Sequence, residues 1–83
     1  MKATVKVTNL KRGRFAAQGE AGQFFVYDLL DSEDVRIGDI LSHSHIQAPG
    51  GKEIENLTRG VTMLVFVTNI VFNFEDARHF CFL

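Results

Sequence analysis

Apolar and polar residues alternate from the start of the chain. Ala3, Val5 and Val7 fall on one face of an extended segment, and lysines and threonines fall on the other. Such alternation is typical of a half-buried β-strand. Two more β-prone segments, Phe15 to Gln18 and Phe24 to Leu30, follow after turn-forming residues. The N-terminal third of the chain therefore predicts a three-strand β-meander.

The middle of the chain predicts three further strands, after a polar segment that has room for one helical turn at most. They are Ile40 to Gln47, Lys52 to Thr58 and Val61 to Ile70, separated by Ala48-Pro49-Gly50-Gly51 and by Arg59-Gly60. The last of these strands is apolar on both faces. We therefore expect the barrel to cover one of its faces and another part of the chain to cover the other.

The C-terminal segment is the expected cover. Asn73 is a predicted N-cap, because Glu75 and Asp76 then lie in the first turn, where the helix dipole favours anions. The pattern predicts a short helix from Phe74 to Phe82. The alternative is a seventh strand from Arg78 to Leu83.

Length and composition predict a single domain over residues 1–83, with a core over 2–70 and an extension over 71–83. The chain has 83 residues, 46% of them hydrophobic, and its apolar runs are too short to cross a bilayer. With one cysteine, Cys81, and no secretory signal pattern, it is expected to be cytoplasmic. A barrel this small uses most inward residues for its core, so we expect neither an enzyme nor a bound cofactor.

Short motifs in this order resemble a cold-shock domain. They are Thr4-Val5-Lys6, Asn9, Arg12-Gly13, Phe24-Phe25-Val26-Tyr27-Asp28 and Ile54-Glu55-Asn56-Leu57. Together with the C-terminal pattern, these motifs predict an all-β fold, a small five- to six-stranded OB-like barrel with a short C-terminal helix or extra strand. The resemblance itself covers residues 2–58 and implies the barrel. It also implies binding of single-stranded nucleic acid. Val7, Thr8, Arg14 and Ala16 replace the aromatic residues on which that family stacks bases.

The charge distribution agrees with a nucleic-acid ligand at the N-terminus. Residues 1–18 contain five cations and no acid, although the net charge is −1. The predicted nucleic-acid-binding residues are Lys6, Lys11, Arg12, Arg14, Phe25 and Tyr27. The alternative for the two aromatic residues is that they belong to the core, with Phe24 and Val26 outside.

A second function is predicted by the segment from Val61 to Leu83. It has more apolar residues than a small monomer readily covers, including Phe66, Phe72, Phe74, Phe80 and Phe82. Such an excess favours a protein-interaction or self-associating module. His43, His45, His79 and Cys81 lack the spacing of known zinc motifs, so we predict no metal site, while leaving open whether the four converge.

Overall fold

The strands close into a six-stranded antiparallel barrel, as the sequence predicts. The computed structural model describes residues 2–42 and 50–83, apart from the side chain of Lys52. Its elements are β1 (Lys2–Asn9), β2 (Arg14–Gly19), β3 (Phe24–Leu29), β4 (Ile40–Ser42), β5 (Gly50–Asn56), β6 (Val61–Val71) and α1 (Phe74–Cys81). The order around the barrel is β1-β2-β3-β6-β5-β4, and β4 pairs with β1. The predicted extension of the fourth strand, residues 43–47, lies outside the described residues.

The barrel interior is filled by side chains from every strand. Phe15 and Tyr27 stack at its centre, with ring centroids 4.7 Å apart. The loop 30–39 contributes Val35, which is 1% exposed and belongs to the same core. The other buried members are Ala3, Val5, Ala17, Phe25, Leu41, Ile54, Met63, Val65 and Val67. Each strand thus contributes the inward half of its alternating pattern.

A β-bulge at Lys6 interrupts the alternation of β1. Val5 pairs with Ala17 and Val7 pairs with Ala16, so Lys6 is an extra residue. A shift of one residue transfers every following side chain to the other face of the sheet. Val7 therefore lies on the outer surface of the barrel, and the prediction that it shares a face with Ala3 and Val5 is wrong.

Helix α1 covers that outer surface. Asn73 is the N-cap, as predicted, and its side chain accepts a hydrogen bond from the Asp76 N–H at 2.8 Å. The helix buries Ala77 and Cys81 in a second cluster, with Val7, Ala16, Phe24 and Val26 of the barrel. Because residues 78–81 are helical, the alternative of a seventh strand is wrong. With eight residues, α1 falls well short of the length needed to cross a membrane.

The outer face of β6 is not covered as predicted. Helix α1 lies mainly over β1, β2 and β3. Inward residues Met63, Val65 and Val67 are fully buried, whereas the outward residues Leu64 and Phe66 are 45% and 42% exposed. The reason is the exit point of β6: the helix starts beyond Val71, which pairs with the first residue of β3, and from there it turns away from β6.

Candidate binding surfaces

The two aromatic residues predicted to stack on bases are in the barrel core. Phe25 is 3% exposed and Tyr27 is fully buried, with their ring centroids 6.5 Å apart. Burial also raises the pKa of Tyr27, so its hydroxyl stays protonated. The stacking role predicted for Phe25 and Tyr27 is therefore wrong, and the alternative of a core role is correct. Phe24 and Val26 face outward but lie under α1.

Arg14, also predicted to bind nucleic acid, is engaged by the chain itself. Its Nε donates to Asp28 Oδ1 at 3.0 Å, across the β2–β3 pair. Its guanidinium also donates to the carbonyl of Phe80 at 3.1 Å, and Asn9 Nδ2 donates to the carbonyl of Cys81 at 2.9 Å. Both carbonyls belong to the last turn of α1, where helical partners are lacking. Arg14 and Asn9 thus anchor the helix to the barrel.

The three remaining predicted cations lie on two separate surfaces. Lys6 lines an outer groove of about 300 Å³ with Lys2, Thr4, Gln18, Glu20 and Ile40. Lys11 and Arg12 are exposed in the turn after β1. That turn borders a second groove of about 430 Å³, whose other wall carries Asp31, Glu33 and Asp34. The predicted basic surface is therefore divided, and one half of it faces carboxylates that repel phosphate.

Of the four residues considered for metal binding, two lie in the described part of the chain. His43 and His45 lie outside the described residues. His79 is exposed on α1, whereas Cys81 is buried. Burial raises the pKa of the Cys81 thiol to about 11 against the opposing charge of Arg14, so the thiol is protonated at neutral pH. Across residues 2–42 and 50–83 there is no group of three or more possible metal ligands.

The outer face of β6 exposes apolar side chains on the barrel wall, and Phe72, Phe74 and Phe82 are exposed beyond it, at 80%, 44% and 53%. We define the β6 face as Leu64, Phe66 and Leu30, whose exposed fractions lie between 42% and 54%. Leu30 joins it because its backbone N–H donates to the carbonyl of Leu64 at 2.8 Å. On the other side, Glu53 pairs with Leu64 and Gly51 pairs with Phe66 across β5 and β6. The apolar side chains therefore lie between Glu53 on the β5 side and Asp28 and Asp31 on the β3 side.

The loop 30–39 starts at Leu30 of the β6 face, and a buried carboxylate, Asp39, holds its other end. Asp39 is 4% exposed and accepts hydrogen bonds from Asn56 Nδ2 and Arg59 Nε, both at 2.9 Å, and from the Arg36 N–H at 3.0 Å. Burial acts to raise the pKa of Asp39, but these hydrogen bonds and the charge of Arg59 outweigh it and hold the pKa below its usual value. Asp39 is ionised at neutral pH and ties the loop to β5 and to the turn after it.

Sequence reasoning missed Asp39 but identified the apolar residues of the β6 face. Nothing in the pattern around Asp39 distinguishes a buried carboxylate from a turn residue after Gly38. The β6 face did leave a signal, because Leu64 and Phe66 interrupt the polar face of an otherwise alternating strand.

Comparisons with known protein families, with curated proteins and with solved structures found no match to this chain.

Proposed function

We propose that this chain is a non-enzymatic, cytoplasmic binding module that contacts another protein through the β6 face. The observation that carries the proposal is the exposure of Leu64 and Phe66 on the wall of an otherwise well-packed barrel. Apolar side chains grouped in this way on a small domain usually belong to an interaction surface. A solvated strand face would instead carry polar residues at these positions.

The β6 face contributes little to the stability of the barrel, which supports a role in binding. The inner core and the cluster beneath α1 are complete without it. We therefore expect the double substitution Leu64→Ser/Phe66→Ser to change the free energy of unfolding by no more than about 1 kcal/mol. Urea unfolding monitored by circular dichroism measures this.

Peptide selection tests the proposal directly. Random peptides displayed on phage are selected on the unchanged chain and then assayed on the Leu64→Ser/Phe66→Ser variant. We expect the selected peptides to lose at least tenfold in affinity on the variant. The matched control is Ile37→Ser/Leu57→Ser, which removes two apolar side chains that are 65% and 41% exposed elsewhere. Equal losses on both variants, or no loss on either, would contradict the proposal.

The groove beside Lys6 supports a second function, weak binding of single-stranded nucleic acid, in line with the cold-shock resemblance. Lys2 and Lys6 line this groove with the amide of Gln18 and a single carboxylate, Glu20, so the two cations outnumber the acid and phosphates of a strand could bind there without any aromatic stacking. Such contacts read no base sequence and weaken with salt.

An oligonucleotide titration tests this second function. At low salt, a fluorescently labelled single strand should bind with a Kd near 100 µM, at the weak end of about 10⁻⁴ to 10⁻⁶ M for non-specific complexes. We expect Lys2→Glu/Lys6→Glu to abolish binding and Lys11→Glu/Arg12→Glu, of equal charge change, to weaken it less. Absence of binding to the unchanged chain at a few hundred micromolar would rule the function out.

A further inference from the structure

We infer that the partner's contacting segment combines apolar side chains with lysine or arginine. This inference rests on the proposed function and specifies the partner of the same surface. Carboxylates flank the β6 face on both sides. Glu53 pairs with Leu64 across β5 and β6, and Asp31 Oδ2 accepts a hydrogen bond from the Leu64 N–H at 2.8 Å. Glu55 continues the acidic row opposite Thr62.

These carboxylates are available to a partner. Among the described side chains, which do not include that of Lys52, the ion pairs use Asp28, Asp34 and Asp39, and none uses Glu53, Glu55 or Asp31. Asp31 also accepts hydrogen bonds from the N–H groups of Glu33 and Leu64. The three available acids are exposed. Asp28, which pairs with Phe66 on the β3 side, is already neutralised by Arg14. The negative potential is therefore concentrated around Leu64.

A protein interface covers a larger area than the β6 face, so it also covers the carboxylates beside that face. The chain exposes 4703 Å² in total, and a standard interface covers about 800 Å² of each partner, or roughly a sixth of this surface. Three side chains cannot supply such an area, so the contact extends over the flanking acids. Covering a carboxylate without a partner is strongly unfavourable, whereas an opposing cation offsets much of that cost. A neutral or acidic segment is disfavoured for the same reason.

The surface beside Phe66 has room for an apolar side chain of the partner's contacting segment. Gly51 lies beside Phe66, and a Cβ atom at Gly51 would meet no heavy atom within 4 Å. As far as the described residues go, the flank of the Phe66 side chain is therefore open on the β5 side. An apolar side chain of the partner can pack there while a neighbouring cation reaches Glu53.

Two synthetic peptides of equal length test the inference, one built from leucine, lysine and serine and the other with glutamate in place of lysine. Binding is measured by fluorescence anisotropy to the unchanged chain and to two charge variants. Glu53→Lys/Glu55→Lys reverses the charge of the flank. Glu20→Lys/Glu75→Lys, a matched control, changes the net charge equally at two exposed glutamates elsewhere.

We expect the lysine peptide to bind the unchanged chain at least tenfold more tightly than the glutamate peptide. The preference should reverse in Glu53→Lys/Glu55→Lys and persist in the control, and it should weaken between about 50 and 300 mM salt. Equal affinities for the two peptides, a preference that survives the charge reversal, or binding of neither peptide would overturn the inference.

The same assay separates this inference from the proposed function. If both peptides bind equally and both lose affinity on Leu64→Ser/Phe66→Ser, the protein-binding face stands and the charge preference falls. If the lysine peptide binds that variant unchanged, the contact is purely ionic and both proposals fall. If sedimentation velocity without peptide shows mass rising with concentration, and Leu64→Ser/Phe66→Ser prevents it, the occupant is a second copy of this chain, and the inference is overturned.

Discussion

The substitution Asp39→Ala is expected to lower the free energy of unfolding by about 2 to 4 kcal/mol. The side chain is 4% exposed and accepts three hydrogen bonds, two of them from Asn56 and Arg59. Its removal leaves a guanidinium and buried N–H groups without their acceptor. A domain of this size has about 4 to 12 kcal/mol of stability in total, so the variant should be largely unfolded at modest urea concentrations.

Asp34→Ala is the matched control, because Asp34 lies in the same loop and its carboxylate also contacts Arg59, at 3.8 Å. Asp34 is solvent-exposed and pairs with exposed Arg36, so its loss should cost less than about 1 kcal/mol. Urea unfolding at neutral pH measures both variants. Equal losses would mean that the loop is held by its apolar anchor Val35 and not by the buried carboxylate.

The pH dependence of stability gives an independent readout of Asp39. Its pKa is lower in the folded chain than in the unfolded chain, so folding favours the ionised form. The resulting stabilisation is complete above the unfolded-state pKa of about 3.9 and is lost as the pH falls through the folded-state pKa. Stability of the unchanged chain should therefore fall more between about pH 6 and 3 than stability of Asp39→Ala. Parallel pH profiles would contradict the assigned role.

The sequence predicted the elements of this fold better than the directions in which their side chains point. Alternation located the strands, and an N-cap followed by two acids located α1. The wrong assignment in β3 has a simple cause: Phe24, Phe25, Val26 and Tyr27 are all buried, because one face of β3 meets the core and the other meets the helix. A strand that is apolar on both faces does not reveal which face is inside.

The bulge in β1 has no sequence signal either. Polar and apolar residues keep alternating through Lys6, so the shift that moves Val7 outward is set by pairing with β2 and not by local preference. The bulge also affects one of the two contacts that anchor α1. Beyond the bulge, Asn9 lies on the outer face and pairs with Arg14 of β2, and the two side chains donate to carbonyls at the end of α1. Arg14 is therefore bound within the fold, and the basic cluster predicted from the sequence has one member fewer for a ligand.

The substitution Ala77→Asp is expected to detach α1 from the barrel. Ala77 is fully buried against Val7, Ala16, Phe24 and Val26, and a carboxylate in that cluster would have no partner. The helix can avoid the cost by leaving the barrel, so the loss in stability is limited to what docking contributes. Ala77→Asp should therefore be about as stable as a chain truncated after Val71, and about 3 kcal/mol or more below the unchanged chain.

The rate at which the Cys81 thiol reacts measures the detachment of α1 separately from unfolding of the barrel. The thiol lies on the buried face of α1, against the barrel, and should react slowly with a thiol reagent in the unchanged chain. In Ala77→Asp it should react rapidly while circular dichroism still shows the β-barrel. The matched control is Ala21→Asp, which introduces the same side chain at an exposed turn position and should leave both stability and thiol protection unchanged. A protected Cys81 in Ala77→Asp would show that the second cluster tolerates a carboxylate and that the anchors Asn9 and Arg14 alone hold the helix.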